Sequence, residues 1–142
     1  MSLDETTSAS AARTRTIGIR VSADFEELAM LRAVAETIAL LADFGIDEVT
    51  DIRLALEEVA TTLIRDAVPG SELDCEIGYD NASMTIRVSS IAASDHGPDQ
   101  NGMSWHIVST LTDSVSTTVD PLDAATNGYR TTIEFRWTSG VR

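Results

Sequence analysis

The stretch Asp51 to Val68, DIRLALEEVATTLIRDAV, decides the fold. Ile52, Ala55, Leu56, Val59, Leu63 and Ala67 recur at three- and four-residue spacing, which lays one apolar stripe along a helix. No Gly or Pro interrupts it, and Pro69-Gly70 stops it. Along the neighbouring edge stand Leu54, Glu58, Thr62 and Arg65, again three or four residues apart. That edge sets a carboxylate one turn before a hydroxyl, beside the apolar stripe. By spacing alone, a solvated helix edge reads the same way.

Upstream, Thr16 to Val21 alternates as a short strand does. Asp24 and Glu27 have capping-box spacing and open a helix that runs to about Phe44. Leu28, Leu31, Ala35, Ile38 and Leu41 are its inward residues, and Gly45 its stop. The short link leads straight into the central helix, with Asp47 the expected N-cap. Two helices joined so closely pack antiparallel on one face of a sheet. Downstream of Pro69-Gly70 the period changes to two. Leu73 to Tyr79 and Met84 to Val88 read as strands joined by a hairpin turn at Asp80-Asn81. A polar, irregular run follows from Ser89 to Gly102. Met103 to Leu111 is a third helix with Met103, Ile107, Val108 and Leu111 inward. Val115 to Val119 and Thr131 to Trp137 are the last strands, around the turn-rich Pro121 to Gly128. Clustered strands rather than strict alternation give an α+β class. The expectation is a two-layer α/β sandwich, its sheet mixed but mostly antiparallel, with three helices on one face. Residues 1–14 read as a mobile Ser/Thr/Ala-rich tail, and 15–142 as one domain.

The 142 residues suit a single domain, and 43% hydrophobic content suits one sizeable core. A net charge of −13 argues against direct nucleic-acid binding and against an anionic membrane surface. It suits a basic protein partner, or simple solubility. Cys75 is the one cysteine, so no internal disulfide forms, which fits a reducing cytoplasm. No 18-residue apolar run is present, and the N-terminal residues lack the apolar core of a signal peptide. His96 and His106 have no further ligand at metal spacing, so no metal site is expected. Trp105 and Trp137 read as core anchors, and Cys75 as a small buried hydrophobe.

The spelling of the central helix resembles the one that carries the ATP-binding N box of histidine-kinase-like ATPases. The likeness is strongest to the RsbW type, small anti-sigma factors that double as serine kinases. Glu58 matches the pattern's Glu, and Ala55, Thr61 and Ala67 its flanks, while Thr62 stands where an Asn is expected. The likeness runs from about residue 16 to 137. Ser104-Trp105-His106 resembles a spelling of the divergent actinobacterial branch, where the Asn is absent. The resemblance implies ATP with magnesium held between the helices under a lid, with Glu58 as general base. Thr62 would offer magnesium one hydroxyl, a poorer ligand than an amide carbonyl. An Asp-x-Gly that reads adenine falls on Ser90 and Ala92 by direct alignment. Asp95-His96-Gly97 spells it five residues later. Of the glycine-rich phosphate turn only Gly102 survives, in Asn101 to Ser104. Ser104 and Thr132 complete the cofactor-facing candidates.

The resemblance also places partner contacts on the first helix, at Arg32 with Glu27 or Leu28 beside it. The plainer alternative pairs Arg32 with Glu36 one turn on. The implied function is an anti-sigma factor that sequesters an alternative sigma factor. An anti-anti-sigma antagonist of the STAS type would relieve it, and the ATP site would be degenerate. An active serine kinase that phosphorylates the antagonist is the alternative. The implied homodimer would use the sheet side, where Ile17, Ile19 and Val21 form a lone apolar face on the first strand.

Overall fold

A computed structural model describes residues 14–138; of the expected N-terminal tail, 1–13 lie outside the described residues. β1 (Arg15–Ser22) leads through a 3₁₀ turn (Phe25–Glu27) into α1 (Leu28–Leu41) and α2 (Ile46–Arg65). Then follow β2 (Glu72–Tyr79), β3 (Ser83–Ala92), α3 (Met103–Leu111), β4 (Ser114–Asp123) and β5 (Gly128–Thr138). The sheet order is β1-β2-β3-β5-β4. The sheet was expected to be mixed, yet each of its pairings is antiparallel. The reason is the last hairpin. The chain crosses by α3 to the far edge as β4, and β5 returns between β4 and β3.

Period two sorts the strands into two faces. Leu73, Cys75, Ile77, Met84, Ile86, Val88, Ile133, Phe135 and Trp137 are buried beneath the helices. They meet Leu31, Ala35 and Ile38 of α1 and Ile52, Ala55, Leu56, Val59 and Leu63 of α2. Trp137 donates its indole N–H to the Leu111 carbonyl at 2.7 Å, tying β5 to the end of α3. Its ring meets Phe135 edge-on at 5.3 Å. The opposite sheet face is polar and open. Along it run Arg20, Asp74, Glu76, Arg87, Thr132 and Glu134.

Several sequence expectations are corrected at element ends. Asp24 makes no side-chain cap; its carbonyl accepts the Glu27 N–H at 3.0 Å, and the 3₁₀ turn precedes α1. Gly45, not Asp47, is the cap of α2, and its N–H donates to Glu48 Oε1 at 3.0 Å. Leu41 and Met103 are 69% and 72% exposed; Leu41 is the last residue of α1 and Met103 the first of α3. Ala67 lies past the end of α2 and bridges to Ala92. β3 runs to Ala92, four residues into the expected loop, because Ser89 to Ala92 pair with Thr132 to Tyr129. β4 passes Pro121 by an irregularity between Val119 and Leu122. On β1, Ile19 and Val21 lie opposite Cys75 and Leu73 and pack on the molecule's own core. Of the apolar face expected to join two copies, Ile19 and Val21 are thus partly covered from within, while Ile17 stays 37% exposed. Among the described residues, no helix is long and apolar enough to cross a membrane.

Candidate functional site

Glu58 and Thr62 sit one turn apart on α2, and α3 packs against that edge. Ser104, in the first turn of α3, donates its hydroxyl to Glu58 Oε2 at 2.9 Å. Thr62 Oγ1 donates to the Glu58 carbonyl at 2.8 Å and lies 3.0 Å from Ser104 Oγ. Two hydroxyl protons serve three contacts, so the Thr62–Ser104 bond forms only when one hydroxyl turns away from Glu58. The structure therefore brings Glu58, Thr62 and Ser104 together.

Beside this cluster is a cavity of about 250 Å³. Val59, Trp105, Val108 and Ile133 wall it, and Thr62 and Ser104 form part of its polar edge. Gly102, the N-cap of α3, lies at its mouth. The turn before it is held by Asp99, whose carbonyl accepts the Gly102 N–H at 3.0 Å. The Asp99 carboxylate accepts the Asn101 N–H, also at 3.0 Å. A Cβ on Gly102 would meet Asp99 Oδ2 at 3.0 Å. Two N–H groups of the turn are thus already taken, and a carboxylate stands where phosphates would have to approach.

The other sequence candidates do not join the cluster. Asp95 is an exposed side chain 3.7 Å from His96 Nδ1. Gly97 has φ +68° and passes close to Val119 of β4. Neither lines the cavity. Ser90 is buried, and its hydroxyl has no hydrogen-bond partner among the described residues. Thr132 points from the opposite sheet face, paired across the strands with Ser89 and Thr118. The thickness of the sheet separates it from Glu58. Asp66, a turn beyond Thr62, accepts the Ser94 hydroxyl at 2.7 Å, and its carbonyl takes the Ala93 N–H. It is committed to the loop. Among the described residues, no cluster of three or more His, Cys, Asp or Glu is placed to hold a metal. Burial pushes the Cys75 thiol up to about 12, so it stays protonated and unreactive.

On the other flank of α2, Arg32 Nη1 donates to Glu57 Oε1, forming an ion pair between α1 and α2. Its i+4 neighbour Glu36 instead pairs with Arg53 at 3.4 Å. Leu28 is partly buried against the core, and Glu27 closes the 3₁₀ turn. Sequence reading missed Asp99 and Glu57. The signal for Glu57 was there: Arg32/Glu36 and Arg53/Glu57 each sit four apart, in complementary order on antiparallel helices.

Fold and site together define a small α+β sandwich in which a helix-borne Glu accepts a hydrogen bond from the first turn of a second helix, beside a narrow cavity. The chain is similar to the Anti-sigma-F factor RsbW of Mycobacterium tuberculosis, strain CDC 1551 / Oshkosh. The two are 32% identical over 103 residues, which is 72% of this chain and 61% of the relative. The same protein of strain ATCC 25618 / H37Rv gives the same figures. The chain is thus similar to an anti-sigma factor named RsbW, and it spans 61% of the length of the curated relatives it matches. No protein-family model matches it.

Proposed function

We propose that the protein is a cytoplasmic anti-sigma factor that holds an alternative sigma factor through the α1 face around Arg32. A STAS-type anti-anti-sigma antagonist releases it by competing for that face. The observation that carries this reading is the 32% identity, over 103 residues, to a protein named as an anti-sigma factor.

The site's chemistry supports binding without phosphoryl transfer. Magnesium needs near-octahedral oxygen ligands, several from water and substrate phosphates. Here Glu58 accepts from Ser104, Asp66 from Ser94, and Thr62 offers one hydroxyl already donating to a carbonyl. The cavity of about 250 Å³ lies below the range of roughly 300–1,000 Å³ usual for ligand sites. These residues do not fit magnesium-ATP. In this reading nucleotide binds weakly, phosphoryl transfer is slow or absent, and the sigma complex forms equally well without ATP.

A serine kinase that modifies the antagonist is the second reading. The placement of Glu58 on a rigid helix beside the cavity favours it. Titrating the full chain with ATP and magnesium, with and without sigma factor, separates the two. Micromolar affinity, or labelled phosphate on the antagonist that disappears in Glu58→Ala, establishes the kinase instead.

A further inference from the structure

We infer that Glu57 is a positioning residue that holds Arg32 ready for the partner; this rests on the proposed anti-sigma reading. Four charges form a square between two antiparallel helices. Arg32 and Glu36 stand on α1, and Arg53 and Glu57 on α2. The pairs run across the helices, Arg32 to Glu57 and Arg53 to Glu36. A guanidinium carries five N–H donors, and Glu57 engages only Nη1 of Arg32. The remaining donors belong to a side chain that is 38% exposed. They can take a carboxylate of the partner side by side. Just upstream, Phe25 and Met30 are 53% and 56% exposed, so the region combines an Arg with large apolar groups, the composition of interface anchors.

Two features make Glu57 an aid rather than a competitor. A free arginine side chain loses rotamer freedom on binding, whereas one already tethered loses less. Glu57 also has Arg53 one turn away on its own helix, so it keeps a cationic neighbour if the partner draws Arg32 outward. Glu36 is the natural control. It makes a cross-helix pair of the same construction but does not touch Arg32.

The test uses the full chain and the sigma factor that co-purifies with it from its host, produced recombinantly. Glu57→Gln is expected to weaken binding about three- to tenfold, with Glu57→Asp recovering part of the loss. Glu36→Gln should bind as the parent does. The swap Arg32→Glu with Glu57→Arg should recover thermal stability but not binding. In the free protein, Arg32 Nε relaxation by NMR should show a more mobile side chain in Glu57→Gln and no change in Glu36→Gln. Equal losses in Glu57→Gln and Glu36→Gln overturn the inference, as does tighter binding in Glu57→Gln or an Arg32 that stays ordered without Glu57. If no sigma factor co-purifies, or if Arg32→Ala leaves sigma binding intact, the functional reading fails instead, and the relaxation data still decide what Glu57 does.

Discussion

Ser104 shows how one hydroxyl can settle a site. It supplies the side-chain hydrogen bond to a half-buried carboxylate, from a helix 46 residues away in sequence. Ser104→Ala should cost about 1–2 kcal/mol in equilibrium denaturation, because the Glu58 acceptor is left without its donor. Thr62→Val should cost less, since the Glu58 carbonyl keeps its helical bond. Ser90 is the opposite case. Its buried hydroxyl has no partner among the described residues, so Ser90→Ala should leave stability unchanged or raise it by up to about 1 kcal/mol. The spacing of Glu58 and Thr62 was legible in the sequence, but their closure by Ser104 was not, because local period carries no information about which helix packs alongside. Thr132 teaches a different lesson. Alternation on β5 puts Ile133, Phe135 and Trp137 inward and therefore Thr132 outward. The same alternation sets Thr132 on the sheet face away from Glu58.

Elements were legible in kind and much less so in extent. Periodicity placed three helices and five strands in the right order, since one-sided burial imposes it. Strand ends followed neighbours instead. Ser89 and Ser90 look like loop residues, yet β5 offers them backbone partners. The β4–β5 hairpin is similarly demanding. Asp123 anchors its turn by accepting the Asn127 N–H at 2.8 Å, Asn127 takes φ +54°, and Gly128 follows beside β3. A Cβ there would lie 2.4 Å from Ile91 Cγ2 and 2.8 Å from the Ala92 carbonyl. Gly128→Ala should therefore destabilise the fold by about 1–3 kcal/mol, since backbone must move. The polar sheet face predicts a pH effect. Partial burial raises the Asp74 carboxyl, but hydrogen bonds from Arg20 at 2.6 Å and Arg130 at 3.0 Å outweigh it and bring it below its usual value. Stability from Asp74 is thus present above the ordinary carboxylate range and lost as pH falls through the lower folded value. Acid titration of Asp74→Asn should lose less stability below about pH 4 than the parent.

At the scale of the molecule, the charge of −13 is unevenly spread. On the open sheet face, carboxylates and guanidinium groups interleave: Arg20 and Arg130 flank Asp74, and Arg87 bridges Glu76 and Glu134. Charge there largely cancels. The approaches to the helices are different. Asp24, Glu26 and Glu27 precede α1, Asp43 follows it in the link, and Asp47, Glu48 and Asp51 open α2. Arg32 and Arg53 are the cations between these groups, and both are already paired across the helices. The field of the molecule is therefore negative toward the helix layer, the side on which the proposed partner docks. A partner with a basic surface would be drawn to that side before contact, and such steering raises association rates tenfold or more at low salt. Screening acts over about 10 Å at 0.1 M salt and mainly affects the encounter, while short-range anchors set the lifetime of the complex. Stopped-flow binding to the sigma factor should then show an association rate that drops about tenfold between low and physiological ionic strength, with dissociation nearly constant. Asp47→Asn with Asp51→Asn should flatten that dependence, whereas Glu76→Gln on the sheet face should not. A rate indifferent to salt in the parent would mean that apolar contacts, not charge, bring the partner in.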